Sequence, residues 1–365
     1  MSMSTTRGTP ITRRQALALA AGQAGGLQRA RPAPRDQLVN TLEFEDQAGS
    51  ALPPAVAALI ADRVDGSGAR VDRQAFDRIT LRPRMLVPTL DLDLTATLFG
   101  DAVVAPIVVA PIADQKRFHP DGEAATIQGA SLAKAPVIVS SQSSVPLAEL
   151  AKAAATPLWY QVFATDPAAK QKMGAAADAG CRAIVLTVGV KLPAVGAPSA
   201  PAPARVDWAA VGALVSGSRL PVIVKGVTTA ADAKAALQQH AQGVMVSSYG
   251  GAMTSSGETI MQLPAIVDAV AGRVPVLVDG GFRRGTDILK ALAFGAQAVA
   301  VGRPVMWGLA AYGADGVRGV IEMLQTELAR YVAMCGRSRL QDLGRDVLRV
   351  HAPGALARTS SSSGR

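Results

Sequence analysis

Val276-Leu277-Val278-Asp279-Gly280-Gly281-Phe282-Arg283-Arg284-Gly285 is answered one repeat further on by Val299-Ala300-Val301-Gly302-Arg303-Pro304. Each stretch begins as a continuous apolar run long enough for one buried strand and ends in glycine and arginine. Glycine lets backbone N–H groups approach a phosphate closely, and a guanidinium fork holds phosphate oxygens bidentately. Two such strand ends near the close of a chain match the phosphate grip of a (β/α)8 barrel, which uses the loops after strands seven and eight. The pair therefore predicts a TIM barrel that holds a phosphorylated ligand.

Working back from these two, six more apolar runs follow residue 100: Ile107–Val109, Val137–Val139, Leu158–Tyr160, Ala183–Leu186, Val222–Val224 and Val244–Val246. They are continuous rather than alternating, as strands covered on both faces are. Ala-rich segments with helical spacing separate them, among them Ala230 to Gln239 and Thr286 to Phe294. Strand–helix alternation repeated eight times predicts an α/β fold, the closed barrel. The competing doubly wound sheet is disfavoured because no Gly-x-Gly-x-x-Gly opens a first helix. Ahead of the barrel lies a helical extension. Ala55 to Arg63 reads as a helix, and Val71 to Ile79 leads a helix or turn into an extended Leu81 to Val87. Val190 to Arg205 is a Pro/Ala-rich crossover with little helix, and Asp315 to Cys335 is the final long helix, closed by Gly336.

Composition agrees with one large core. The 365 residues are 49% hydrophobic and 18% charged, with aromatics at only 4%, so Ala, Val and Leu must fill the interior. The net charge of +9 is spread over scattered Arg and Lys without aromatic interleaving. It reads as solvated surface with a few arginines reserved for an anionic ligand, and no nucleic-acid partner is expected. Cys181 and Cys335 lie far apart with no metal spacing, and read as small buried hydrophobes. No stretch reaches the length of a transmembrane helix. Residues 1–35 form a leader and 356–365 a Ser-rich tail, leaving 36–355 for the barrel and its extension. Arg13-Arg14 before a mildly apolar run reads as a twin-arginine export signal to the periplasm. The alternative is a tail with a chance arginine pair on a cytoplasmic protein.

In such a barrel chemistry sits where the strands end. Those positions hold Pro111, Ile112 and Ala113; Ser140; Gln161 and Phe163; Thr187; Lys225; Ser247, Ser248 and Tyr249; Asp279, Gly280 and Gly281; and Gly302 and Arg303. Lys225 is a buried lysine, costly unless paired with negative charge. That charge is either an anionic reduced cofactor or a carboxylate, with Asp279 the candidate.

These residues, with Ala75-Phe76-Asp77-Arg78-Ile79, Arg82-Pro83-Arg84, Gln115-Lys116, His119-Pro120-Asp121-Gly122-Glu123 and Arg283-Arg284-Gly285-Thr286-Asp287, resemble the FMN-dependent α-hydroxy acid oxidase and dehydrogenase family, which includes glycolate and lactate oxidases. The resemblance runs from about Ala75 to Arg337. It implies FMN as cofactor, with backbone of Pro111, Ile112 and Ala113 beside the flavin. Ser140, Gln161 and Thr187 fall on the flavin edge, and Lys225 near the ring's N1 and C2 oxygen. Ser247 touches the cofactor and Asp279 meets the ribityl hydroxyls. Gly280 and Gly281, with Arg283, Gly302 and Arg303, fall at the phosphate. It also implies a small-molecule substrate, O2 or a redox partner as electron acceptor, and a homo-oligomer, in the family a tetramer.

On the substrate side the resemblance breaks. The family's proton-abstracting histidine falls on Tyr249, its carboxylate-binding arginines on Ala252 and near Gly196, its tyrosine after strand three on Phe163, and its histidine-orienting aspartate on Gly189. Its early tyrosine has no counterpart between Ile60 and Gly68. A phenol, with a pKa of about 10, is a poor base where histidine is a good one. His119 reads as structural, His240 as part of a helix, and His351 as belonging to the C-terminal segment. Tyr249 either packs over the flavin or donates a proton or hydrogen bond to a neutral or carbonyl-bearing substrate. The expected function is thus an FMN-dependent oxidoreductase, with Tyr249 and Lys225 as catalytic candidates, whose substrate is neither lactate nor glycolate. The alternative is an FMN-binding protein impaired in catalysis.

Overall fold

The computed structural model describes residues 33–61, 68–87, 91–188, 206–249 and 258–352. In chain order the elements are α1 (Glu43–Ala51), α2 (Pro54–Ala57), α3 (Gly68–Ala75), β1 (Ile79–Leu81), β2 (Ala96–Leu98), β3 (Asp101–Val103), β4 (Ile107–Val109), α4 (Gly122–Leu132), β5 (Val137–Ser140), α5 (Leu147–Ala153), β6 (Leu158–Phe163) and α6 (Ala169–Asp178). They continue with β7 (Ala183–Thr187), α7 (Trp208–Ser216), β8 (Val222–Val227), α8 (Ala230–Gln238), β9 (Gly243–Val246), α9 (Thr259–Val270), β10 (Val276–Asp279), α10 (Gly285–Ala293), β11 (Ala298–Val301), α11 (Arg303–Met334) and β12 (Leu348–Val350).

Strands β4 to β11 are the eight apolar runs read from the sequence. Each pairs in parallel with its neighbour, and β11 pairs back to β4 to close the barrel. Because successive strand residues face opposite sides, alternate residues build two cores. Val108, Ile138, Trp159, Val185, Ile223, Met245 and Leu277 fill the barrel interior. Ile107, Val109, Val139, Ile184, Val224, Val244 and Val278 pack outward with the helices. The antiparallel hairpin β2–β3 adds Leu98 and Val103 to the interior cluster. Its Phe99 meets Trp159 edge-on at 5.2 Å, and Gly243 at the start of β9 leaves room for that ring. Thus the N-terminal mouth is stopped by side chains, and the cavity opens at the other end.

Several readings need correction. The helix expected over residues 55–63 is only the four-residue α2, after which the carbonyl of Ile60 accepts a bond from Trp307 Nε1 at 2.8 Å. The extended run expected to Val87 stops at Leu81, where β1 pairs with β12. Pro83 has no N–H to continue the ladder. Non-helical backbone at Gly313 (φ 59°, ψ −137°) divides α11 into two helices; the second is the final helix expected from Asp315, and the first, from Arg303, was not expected. His240 stands in the left-handed region just after α8, not within the helix. The crossover 190–205 and the Arg13-Arg14 leader lie outside the described residues, as does the tail 356–365. Ala33 and Arg35, at the edge of the expected leader, already bond Tyr312 and the Asp315 carbonyl of α11. Among the described residues no helix is long and apolar enough to cross a membrane.

The packing of α4 on α11 depends on small residues. A Cβ at Gly129 would press on the Ala314 carbonyl and stand 2.7 Å from Val317 Cβ; between the two halves of α11, one at Gly308 would stand 2.5 Å from the Gly316 carbonyl. Gly129→Ala is therefore expected to cost about 1–3 kcal/mol by overpacking, read as a lower melting temperature. An unchanged melting temperature would show that the two helices separate freely.

Candidate active site

The ends of β5 to β11 converge on one rim. Parallel register sets Ser140 beside Gln161, Phe163 beside Thr187, and Thr187 beside Lys225. All are buried, and their polar groups satisfy one another. Ser140 Oγ donates to Gln161 Oε1 at 3.3 Å, and Gln161 Nε2 donates to Thr187 Oγ1 at 2.9 Å. Across the rim Lys225 Nζ donates to Ser247 Oγ at 2.8 Å and forms an ion pair with Asp279 Oδ2. Of the two partners considered for Lys225, the carboxylate is the one seen here. Asp279 Oδ1 is buried with no hydrogen-bond partner among the described residues.

A cavity of about 520 Å³ opens over this rim, within the usual range for a small-molecule site. Pro111, Ile112 and Ala113, Lys225, Tyr249, Asp279, Gly280 and Gly281, Arg283, Gly302 and Arg303 all line it. Ser140, Gln161, Thr187 and Ser247 do not; they are held just below by the bonds given above. The lining also contains Ala58 to Ala61 and Phe118, which the sequence did not flag.

At the far end of the cavity lie the two glycine-arginine turns. Gly280 and Gly281 have φ of +102° and +76°, and a Cβ on Gly281 would stand 2.9 Å from the Asp72 backbone, so a side chain is excluded there on both counts. Arg283 is buried with its guanidinium stacked 5.1 Å over Trp307. Asp287 Oδ2 accepts the N–H groups of Arg283 (2.9 Å) and Arg284 (3.0 Å), while Glu327 Oε2 accepts that of Gly285 (2.7 Å). The N-terminus of α10 is thereby capped by protein. That of α11 has no side-chain cap, and its Gly302 and Arg303 face the cavity. A helix N-terminus beside guanidinium groups is a place for an anion.

The other end is aromatic. Tyr249 sits in the left-handed region (φ 54°), its N–H donating to Ser247 Oγ at 3.1 Å. Its ring meets Phe163 edge-on, with centroids 5.9 Å apart. Burial, reinforced by the nearby Asp279 charge, pushes its phenol up to about 12. Gly189, Gly196 and Ala252 lie outside the described residues. His119 lies against the Gly313 kink, where a Cβ would approach its Nε2 to 3.0 Å, in keeping with a structural role. His351 closes the β1–β12 pair through its N–H to the Arg78 carbonyl (2.8 Å) and its Nε2 to Thr80 Oγ1 (2.9 Å). Both cysteines are buried, and burial raises both thiols, Cys181 to about 11.

Two residues of α3, unflagged by the sequence reading, complete the rim. Asp72 is buried and accepts from Ser248 Oγ at 2.6 Å and from Thr259 N–H and Oγ1, both at 2.9 Å. Arg73 bonds the Gly281 carbonyl at 3.0 Å and pairs with Asp287. The available signal was spacing: Asp72, Ala75 and Phe76 share a helix face whose other two members are fully buried.

A parallel barrel with an anion-binding turn, an orphaned carboxylate oxygen and a buried lysine defines a site for a phosphorylated polyol cofactor. The family model for FMN-dependent dehydrogenases matches residues 48–197 and 194–350. A peroxisomal (S)-2-hydroxyacid oxidase of Arabidopsis thaliana is 36% identical over 357 residues, covering 86% of this chain and 97% of the relative. The L-lactate oxidase of Roseobacter sp. (strain GAI101) is 36% identical over 350 residues, covering 85% and 94%. Among solved structures, a mandelate oxidase with (S)-4-hydroxymandelic acid superposes with a TM-score of 0.79 at 33% identity, covering 86% of this chain and all of that one. The chain belongs to the FMN-dependent dehydrogenase family. It is an FMN-dependent oxidoreductase that acts on CH–OH substrates, and the cavity's donor set fits that cofactor.

If Arg283 serves the phosphate, Arg283→Ala will weaken FMN binding by roughly tenfold or more, the worth of one charge-assisted bond, and leave riboflavin binding unchanged. Fluorescence titration of the apoprotein with both compounds separates the cases. Equal losses for both would assign Arg283 to the ring or to folding.

Proposed function

We propose that this chain oxidises an alcohol that is bulkier and less anionic than lactate or glycolate, with Tyr249 as a hydrogen-bond donor to the substrate oxygen. The observation that carries this is Tyr249 itself. It falls on the position of the family's histidine, it is packed on Phe163, and burial pushes its phenol up to about 12. A phenol so placed stays protonated through the neutral range, so it donates and does not abstract.

FMN, when bound, would accept the two electrons and the hydrogen that leave the substrate carbon, and the hydroxyl proton would pass to solvent through the open cavity, since Tyr249 keeps its own. The chain's own residues supply the surroundings. Lys225 holds a positive charge beside Asp279 and Ser247, a site able to stabilise negative charge that develops during reduction. Asp279 Oδ1 offers an acceptor for a polyol hydroxyl. Gly302 and the guanidinium groups of Arg283 and Arg303 supply the phosphate end. The described cations on the cavity wall are Lys225, Arg283 and Arg303, all at positions the resemblance gives to the cofactor. The positions that would clamp a substrate carboxylate are Ala252 and the Gly196 region. Without that clamp a carboxylate gains no bidentate pairing on entry, while an aromatic or aliphatic group gains contact with Phe163 and Tyr249.

Anaerobic bleaching of the flavin absorbance by matched pairs tests the reading. Mandelate and its neutral amide, or lactate and lactamide, differ in charge and little else. The amides are expected to bleach the flavin at least as fast as the acids, with lactate and glycolate nearly inert. Fast bleaching by lactate or glycolate would overturn the proposal, and no bleaching by any member would point to an impaired flavoprotein. The rate should also lack an ionisation near pH 6.5, where a histidine base would titrate; an acidic limb there would place the proton on another group.

A further inference from the structure

We propose that Asp72, on a helix that precedes the barrel, is a positioning residue that holds Tyr249 in its working conformation. The inference rests on the reading of Tyr249 as the substrate's hydrogen-bond donor. Tyr249 is a non-glycine residue at φ 54°, a conformation that persists only when its surroundings hold it. Two serines supply the hold. Ser247 Oγ accepts the Tyr249 N–H at 3.1 Å and the Lys225 ammonium at 2.8 Å. On the opposite side Ser248 Oγ donates to Asp72 Oδ2 at 2.6 Å.

The carboxylate is itself fixed. Its other oxygen accepts two bonds from Thr259 at the start of α9, so Asp72 grips both flanks of residues 250–257. Asp72 is 1% exposed. Its Oδ2 stands 2.9 Å from where a Cβ of Gly280 would lie, so the glycine turn after β10 leaves the space it occupies. Burial raises its carboxyl above the usual range and the three bonds oppose that rise, as expected of a carboxylate kept buried for its bonds. The next residue, Arg73, serves the other end of the site through the Gly281 carbonyl and Asp287. One turn of α3 thus reaches both loops, and the two contacts can be tested apart.

The test uses the FMN-loaded protein with 3-fluorotyrosine in place of its four tyrosines, read by fluorine NMR. Tyr249→Phe identifies the Tyr249 line. Asp72→Asn, which keeps the volume and loses the charge, and Ser248→Ala, which removes only the linking hydroxyl, should each move or broaden that line. The other three should stay fixed, and the Kd for FMN should change by less than about twofold. Arg73→Ala should leave the Tyr249 line in place. With the fastest substrate of the panel, Asp72→Asn should slow flavin reduction by about ten- to a hundredfold, the usual consequence of a misplaced group. The same change in the Tyr249→Phe background should add little, since the two act through one contact. A Tyr249 line unmoved by both Asp72→Asn and Ser248→Ala, or losses that multiply in the double variant, would overturn the proposal. If Tyr249→Phe alone leaves reduction unchanged, the functional reading of Tyr249 falls, and the NMR arm still decides whether Asp72 positions it.

Discussion

The ion pair of Lys225 with Asp279 is the interaction around which the rim is organised. It joins β8 to β10 across the end of β9, and Ser247 of the intervening loop takes the third corner. Neither charge is tolerable alone at this depth, since an isolated buried ion costs several kcal/mol or shifts to its neutral form. Together they can be buried at the strand ends, where each is the other's partner. The pair also leaves one oxygen of Asp279 without a hydrogen-bond partner among the described residues. A site that must accept a polyol needs such an acceptor, and a fully satisfied network would offer none.

From that pair the chemistry divides in two directions along the cavity. Toward β10 and β11 the chain collects positive charge, with glycines that let backbone come close. Toward β6 and β9 it places Phe163 and Tyr249 edge to face. Residues of one sign at one end and aromatic faces at the other orient a ligand that is itself anionic at one end and flat at the other. The same asymmetry bears on the substrate. Under the proposed function, an anion entering the aromatic end gains little there, since the described cations on the wall, Lys225, Arg283 and Arg303, fall at cofactor positions.

How much of this was legible depended on the length scale of each feature. The eight strands were readable because each is a continuous apolar run, and the rim residues because they follow those runs directly. The part of α11 before the break was not, since Gly308 and Gly313 lower helix propensity there. Gly308 and Gly316 are there because the two halves of α11 approach each other more closely than a side chain allows, while Gly313 lies against His119 and Gly319 against Arg35 and against Phe44 of α1. The pairs β1–β12 and β2–β3 were missed because three residues carry too little pattern to register. In the site, the members were visible but their pairing was not. That Ser140 bonds Gln161 and Gln161 bonds Thr187 follows from strand register, which sequence does not print. Asp72 was the hardest, since Ser248 and Thr259 lie 176 and 187 residues further along.

The segment before the barrel is therefore part of the site rather than an attachment to it. A barrel strand delivers one or two residues to the rim and then leaves as a loop, so loop ends such as Ser248 and Gly281 have few partners within the repeat that made them. Something outside the repeat must fix them, and α3 does so with one carboxylate and one guanidinium. The glycines at 280 and 281 then have two duties: their positive φ shapes the turn, and their missing side chains admit the Asp72 carboxylate and its backbone behind it. A side chain at either position would lift α3 from the rim as well as strain the turn. The close approach of a helix from outside the barrel and the form of the cofactor turn are thus one constraint, met by the same pair of residues.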